Sequence, residues 1–474
     1  MTQTIEIFPT ERQILFDKYE KIFEVANYLN RKLVSFQANK EKPIYRWFKY
    51  KEGFSSNLVK YFLSEYSPNP GKVLDPFAGA GTALLAAQEL GWEPFGIEVL
   101  PIGIFIMETF GSIKNISPES LQKIAKTLWM KLNEIEVDKN YISHIPITKY
   151  AFSEETEILL NKYLTYCSTI KDKGLQKILR FAAFSILEEI SFTRKDGQYL
   201  RWDSRSNREL AGKPFDKGKI QSFEEALKHK LNQIVSDIAQ ANSTSLFGQD
   251  EISENDKHDL AIIQGSCLEE LPKLDDQFYD FIITSPPYCN RYDYTRTYAL
   301  ELIYLGLDNN DVRKLRQTML SCTVENKEKI EYLRDYYSSL GKVDVFDRVL
   351  KVYNNSLIMT EVNFIIDELN KLGKLNNNNI PRMIKSYFLE LCFVINEMAR
   401  ISKSRAYCIM VNDNVRYGGE EIPVDLILSE FAENFGFNIN KILVLPKGKG
   451  NSSQQMGNFG RTEIRKCVYV WQKK

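Results

Sequence analysis

The chain reads as an open α/β sheet, mostly parallel, that ends in an antiparallel hairpin and carries two largely helical insertions. Three observations predict it. Short apolar runs alternate with amphipathic helical stretches, which is the pattern of parallel βαβ units. The last two strand-like runs, 438–444 and 466–471, have no helix between them and so pair antiparallel. Finally, 474 residues exceed what one hydrophobic core usually supports, about 250–300 residues, so a single sheet domain has to carry elaborations.

Residues 1–100 contain a strand, a Gly-rich turn and a helix in KVLDPFAGAGTALLAAQEL, then a second strand over 92–98. Residues 101–258 are helical in pattern, interrupted by the polar, basic loop SFTRKDGQYLRWDSRSNRELAGKP. Residues 259–288 hold two short apolar runs, LAIIQG and FYDFIIT, the second leading into SPPY. Residues 289–380 are helical and Tyr-rich and close on GKLNNNNIP, where asparagines and a proline mark a boundary. Residues 381–474 give a helix over 383–401, a strand over 406–411, a helix over 424–435 and the two final strands. Blocks 1–100, 259–288 and 381–474 together make one α/β core of ordinary domain size. Blocks 101–258 and 289–380 are then its insertions.

Composition narrows the function classes. Hydrophobic residues at 43% and charged residues at 26% exclude global disorder. The apolar stretches are too short to span a bilayer, and MTQTIEIFPTERQ lacks a signal-peptide pattern. Seven scattered cysteines, never spaced C-x-x-C, and three unpaired histidines point to a reducing cytoplasm, with no disulfide framework and no metal. Lys+Arg and Asp+Glu are both 62, so any polyanion contact must come from a local patch. Residues 191–219 carry eight basic against four acidic residues, and 441–474 eight against one. Solvated faces have the same composition.

In the segment 73–82, VLDPFAGAGT, a strand leaves the sheet into a tight turn that opens a helix. Gly79 and Gly81 let the backbone pass close to a ligand, and helix-start N–H groups can meet its polar atoms. Glu98 ends the next strand, where a carboxylate can accept both hydroxyls of a ribose. A bare βα turn carries two glycines as well. The third glycine of a pyrophosphate-binding turn is replaced by Leu84, so a nucleoside cofactor without a diphosphate fits better and a dehydrogenase does not.

DPFAGAGT followed by GIEVLP resembles the S-adenosylmethionine-binding motifs of DNA amino-methyltransferases, the N6-adenine and N4-cytosine families. The resemblance implies a Rossmann-like methyltransferase sheet. It also implies that Phe77, Gly79 and Gly81 wrap the methionine half of S-adenosylmethionine with Asp75 nearby, and that Glu98 holds the ribose. Upstream, KEGFSSNLV resembles the family's preceding motif, in which Ser55 would help bind the methionine carboxylate. Family members usually place an acidic residue at the end of the third strand against the cofactor adenine. Here Ser266 stands at that point, and its hydroxyl makes a weaker hydrogen bond than a carboxylate.

Thr284-Ser285-Pro286-Pro287-Tyr288 follows the strand-like run FYDFIIT. Two prolines cannot continue a ladder, so the chain leaves the sheet in rigid, extended form. Strand carboxyl ends form the ligand crevice of such sheets, which sets this segment beside the glycine turn. An exocyclic amino group is a poor nucleophile because its lone pair is delocalised into the ring. Ser285 Oγ and the Pro286 carbonyl can hold the amino hydrogens out of plane, and Tyr288 can stack on a flipped base. The tetrapeptide matches the family pattern [DNS]-P-P-[YFW], with Pro287 completing it. Serine in the first position resembles the enzymes that act on cytosine N4, with adenine N6 as the alternative.

Glycine turn first and SPPY later resembles the arrangement in which the intervening segment recognises the target. Within it, Arg194, Lys195, Arg201, Arg205 and Arg208 are the candidate DNA contacts, joined by Lys447 and Lys449 in the C-terminal loop. A salt-bridged helical surface would have the same composition. Arg291, Tyr292, Tyr294, Arg296 and Tyr298 either line the base pocket or, for Tyr294 and Tyr298 four residues apart, pack in the core. The resemblance implies double-stranded DNA as partner and a restriction-modification system with its cognate endonuclease. Two other functions stay open: an RNA base N-methyltransferase, and a non-catalytic DNA-binding protein on the same fold.

Overall fold

The computed structural model describes residues 10–30, 32–137, 140–196, 199–209, 214–246, 258–446 and 464–474. Its main sheet is built from β1 (Phe23–Val25), β2 (Lys72–Asp75), β3 (Glu93–Glu98), β6 (Ala261–Gln264), β7 (Tyr279–Thr284), β8 (Ser402–Asp413), β11 (Phe437–Val444) and β12 (Lys466–Lys473). The strand order is β1-β11-β12-β8-β7-β2-β3-β6. Strands β8, β7, β2, β3 and β6 run parallel. Strand β12 lies between β8 and β11, antiparallel to both, so the expected C-terminal hairpin is present.

This order sets the two sequence motifs side by side. Strands β2 and β7 are direct neighbours, with Val73 opposite Phe281 and Leu74 opposite Ile282. The glycine turn and SPPY therefore leave adjacent strands at their carboxyl ends, where an open α/β sheet forms its crevice. Thr284 Oγ1 donates to Asp75 Oδ1 at 2.7 Å and fastens the two strand ends together. Helix Ile380–Ile401 carries Pro381 in its first turn, where the missing N–H is harmless, and is buried along most of its length.

Two short hairpins lie outside the main sheet: β4 (Thr193–Asp196) with β5 (Tyr199–Trp202), and β9 (Val415–Tyr417) with β10 (Glu420–Ile422). The first falls where the sequence reads as a loop. Its inward positions are Thr193 and Lys195, with Arg194 and Asp196 outward, so polar inward residues conceal the alternation that marks a strand. Strand β1 is three residues long and leaves no periodicity to read.

Helix Pro101–Ser112 packs against β3 and β6. Beyond it, helices Pro118–Glu134, Glu154–Thr169, Lys173–Ser185 and Phe223–Leu246 pack on one another. Asp237 of the last one reaches back to the N-terminal segment. Its buried carboxylate accepts from Trp47 Nε1 at 2.8 Å and Ile44 N–H at 3.1 Å and pairs with Arg46. The region 289–380 is helical as expected, ending in helix Leu357–Lys371 before the asparagine-rich break. Among the described residues no helix is long and apolar enough to cross a membrane.

Candidate active site

Two cavities meet at the carboxyl ends of β2 and β7. The first has a volume of about 750 Å³, and its wall includes Asp75, Phe77, Gly79, Glu98, Ser266 and Ser285. The second, an open cleft of about 1430 Å³, is bounded on one side by Ser285, Pro286 and Tyr288. Ser285, Glu52, Gly53 and Tyr294 line both. Pro287 faces the first cavity only.

The first cavity is shaped by backbone that tolerates no side chain at certain points. Gly79 has φ +54°, and a Cβ there would stand 3.0 Å from the Tyr50 ring. Gly103, in helix Pro101–Ser112, lets that helix close on the turn, since a Cβ would fall 2.3 Å from the Gly79 carbonyl oxygen. Gly81, with φ +76°, opens helix Thr82–Gln88 in a left-handed conformation. It shapes the turn without lining the cavity.

Glu98 Oε2 accepts the Gly79 N–H at 2.6 Å and Oε1 the Leu100 N–H at 2.7 Å. Each oxygen keeps a lone pair for a further donor. Burial pushes the Glu98 carboxyl up to about 7, against the pull of those two N–H groups. Asp75 is raised to about 7 by the same desolvation, opposed by the Thr284 hydroxyl and the Phe77 N–H. Two adjacent buried acceptors beside a glycine cradle fit a ligand carrying paired hydroxyls. Ser266 sits at the start of the short helix Cys267–Glu270, just past the end of β6 that pairs with Glu98, and lines the same cavity.

Ser55 is not on the wall. Its buried hydroxyl accepts the Leu58 N–H at 3.3 Å and caps helix Ser56–Tyr66. The upstream motif does reach the site, through Glu52, Gly53 and Phe54 instead. The Glu52 carboxylate is bonded by the hydroxyls of Tyr292 and Tyr298, and burial raises its pKa. Tyr298 stacks on Tyr50 with centroids 5.3 Å apart and is fully buried, whereas Tyr292 and Tyr294 face the open cleft. Arg291 bonds Asn376, and Arg296 pairs with Asp293 and Glu325. Tyr288 shares a side-chain hydrogen bond with Ser285, and burial raises its phenol. Tyr50, Glu52 and Gly103 were not singled out from sequence, although Glu52 lies in KEGFSSNLV, Tyr50 just before it and Gly103 two residues past GIEVLP.

Of the candidate DNA contacts, Lys195 is corrected by the structure. It is 5% exposed, and its ammonium pairs with the buried Glu301 carboxylate at 2.5 Å while facing the Phe48 and Tyr298 rings. An inward strand position has turned its charge away from solvent, so it cannot meet a phosphate. Arg205 is bound twice to the buried Asp203 carboxylate and holds that acid well below its ordinary range. Arg208 lies over Trp202 and donates to the carbonyls of Pro146 and Ile147. Arg194 and Arg201 both face the Phe215 ring and stay outward. Lys447 and Lys449 lie outside the described residues.

Comparison with known proteins agrees with this geometry. Residues 11–102 match the family model described as DNA methylase, N6_N4_Mtase. The chain is 48% identical over 448 residues to the Type II methyltransferase M.AvaI of Nostoc sp., covering 94% of this chain and 89% of that protein. It is 41% identical over 479 residues to the Type II methyltransferase M.BsoBI of Geobacillus stearothermophilus, covering 98% and 92%. Likeness to the Type II methyltransferase M.MvaI of Kocuria varians is 23% over 446 residues. The chain thus belongs to the N6/N4 DNA methylases, as a Type II DNA methyltransferase whose methyl donor is S-adenosylmethionine.

Proposed function

We propose that this chain methylates the exocyclic amino group of a flipped base in a specific double-stranded DNA sequence, that the base is cytosine and the position N4, and that it works in a restriction-modification system beside a cognate endonuclease. One observation carries the reading: Ser285 lies in the wall shared by the two cavities, so an amino group entering from the open cleft would meet the donor there.

In this reading Glu98 accepts the ribose hydroxyls of S-adenosylmethionine, and Asp75, Phe77 and Gly79 bound its methionine half. Ser266 faces the adenine. Bound there, the cofactor supplies an electrophilic methyl group. Ser285 Oγ and the Pro286 carbonyl accept the two amino hydrogens and pull them out of the ring plane, which frees the nitrogen lone pair. Pro286 and Pro287 keep these acceptors fixed, so no reorganisation is needed as charge develops. Tyr288 offers a stacking face to the flipped base. The cytosine assignment rests on the serine before the prolines, as the family resemblance implies. A short, uncharged acceptor suits a base whose amino group is brought close by the pocket.

Residues 101–258 are proposed as the target-recognition region, with Arg194 and Arg201 exposed on the β4–β5 hairpin. Residues 289–380 are proposed to flank the active site. The test of the site is Tyr288→Ala. Loss of base stacking is worth about 1–3 kcal/mol, so methylation should fall roughly 5- to 150-fold while calorimetric S-adenosylmethionine binding is kept. Full activity in that variant would remove Tyr288 from the site.

A further inference from the structure

The wall of the open cleft carries a row of lysines, of which only Lys51, in KEGFSSNLV, falls in a sequence motif. Lys40, Lys49 and Lys51 from the N-terminal segment and Lys466 at the start of β12 line it together with Ser285 and Tyr288. Two acidic side chains share that wall, and both are already engaged. Asp413 pairs with Lys466 at 3.0 Å, and Glu52 takes the two tyrosine hydroxyls. Lys40 and Lys49 are exposed, and among the described residues neither forms an ion pair within 4.0 Å. The Lys51 ammonium donates to the backbone carbonyl of Lys195, and the Glu188 and Glu52 carboxylates act on it from nearby. Burial holds Lys51 below its ordinary value, and the nearby Lys49 and Lys195 charges add to the depression.

Two basic side chains of 191–219 contrast with this. Lys195 is buried on Glu301, and Arg205 is clamped on Asp203. In a chain with no net charge, the exposed Lys40 and Lys49, with Lys51 and the Asp413-paired Lys466, concentrate positive charge on the wall of the reaction cleft.

We propose that Lys40, Lys49, Lys51 and Lys466 form a phosphate-binding row that grips the backbone of the DNA strand carrying the flipped nucleotide. The proposal rests on the amino-methyltransferase reading of the Ser285 site. A nucleotide turned into the cleft brings its flanking phosphates to the cleft mouth, where these ammonium groups displace their counterions. Such contacts hold and orient the strand without reading sequence. The row therefore fixes the extruded backbone, and base identity is read elsewhere.

The test is a salt titration of binding, using a fluorescent 30-bp duplex cut from plasmid DNA that the wild-type protein methylates. Each lost phosphate contact lowers the slope of log affinity against log salt by about 0.9, so Lys40→Ala/Lys49→Ala should flatten it by nearly two. Lys40→Arg/Lys49→Arg should keep the wild-type slope, and calorimetric S-adenosylmethionine binding in each variant checks the fold. A wild-type slope in the double alanine variant overturns the row while leaving the methyltransferase reading intact. Preferential binding of an RNA duplex through the same lysines overturns it as well. Absence of any DNA methylation by the wild-type protein would instead strike the underlying reading.

Discussion

Glu98 and Asp75 are two buried carboxyls with pKa values near 7 in one cavity wall, and this has consequences for ligand binding and for stability. Ribose hydroxyls donate to a carboxylate better than to a neutral carboxyl, so binding favours the ionised form. S-adenosylmethionine affinity should thus weaken as pH drops from 8 to 6. Stability moves the other way. The folded-state pKa lies above the ordinary 4.5, so between about 4.5 and 7 the folded protein holds a proton that the unfolded chain has released. The ligand-free protein therefore loses stability as pH rises through that window. In the proposed ribose role, Glu98→Ala removes two hydrogen bonds, each worth about 1.5–3 kcal/mol for a charged group. Calorimetry should find S-adenosylmethionine binding weakened by at least tenfold, and wild-type affinity would dismiss the ribose role.

At the scale of elements, the hairpin of β4 and β5 sends Lys195 inward and Arg194 and Arg201 outward. Inward, Lys195 joins Glu301 behind the tyrosines that hold Glu52. Removing one partner of a buried pair costs up to roughly 3–5 kcal/mol, here reduced by Glu188, whose carboxylate lies 3.9 Å from the Lys195 ammonium. Glu301→Ala should lower the thermal midpoint sharply, and an unchanged melting curve would show that Lys195 finds other compensation. Outward, Arg194 and Arg201 frame Phe215. If this face touches DNA, Arg201→Ala should flatten the salt dependence of binding by about one slope unit. An unchanged slope would make it an ordinary solvated face. Both roles occur in a segment whose composition reads only as basic. Sequence gives the charge of Lys195 but not its strand parity, which depends on a four-residue strand with no apolar alternation. Ser55 shows the same limit: its motif does reach the site, but a hydroxyl before a helix caps that helix when an N–H is in range.

Across the whole molecule, the sheet was legible because its strands are apolar and bounded by glycine and proline. VLD before the glycine turn and FYDFIIT before SPPY each announce a strand end, and the crevice rule joins them. The lysine row was not legible. Lys40 and Lys49 come from the N-terminal segment and Lys466 from β12, and they meet only once β12 is inserted beside β8. Glu52 was hidden for a related reason, since its tyrosine partners lie about 240 residues away. Methyl transfer to an exocyclic amino group is the claim that joins the glycine turn, Ser285 and the open cleft. It is tested most directly by incubating unmodified DNA with the protein and isotopically labelled S-adenosylmethionine, digesting the DNA to nucleosides and weighing them. The account predicts label in N4-methylcytosine. Label in N6-methyladenine would overturn the choice of base, and label in 5-methylcytosine, or none at all, would contradict amino-group transfer itself.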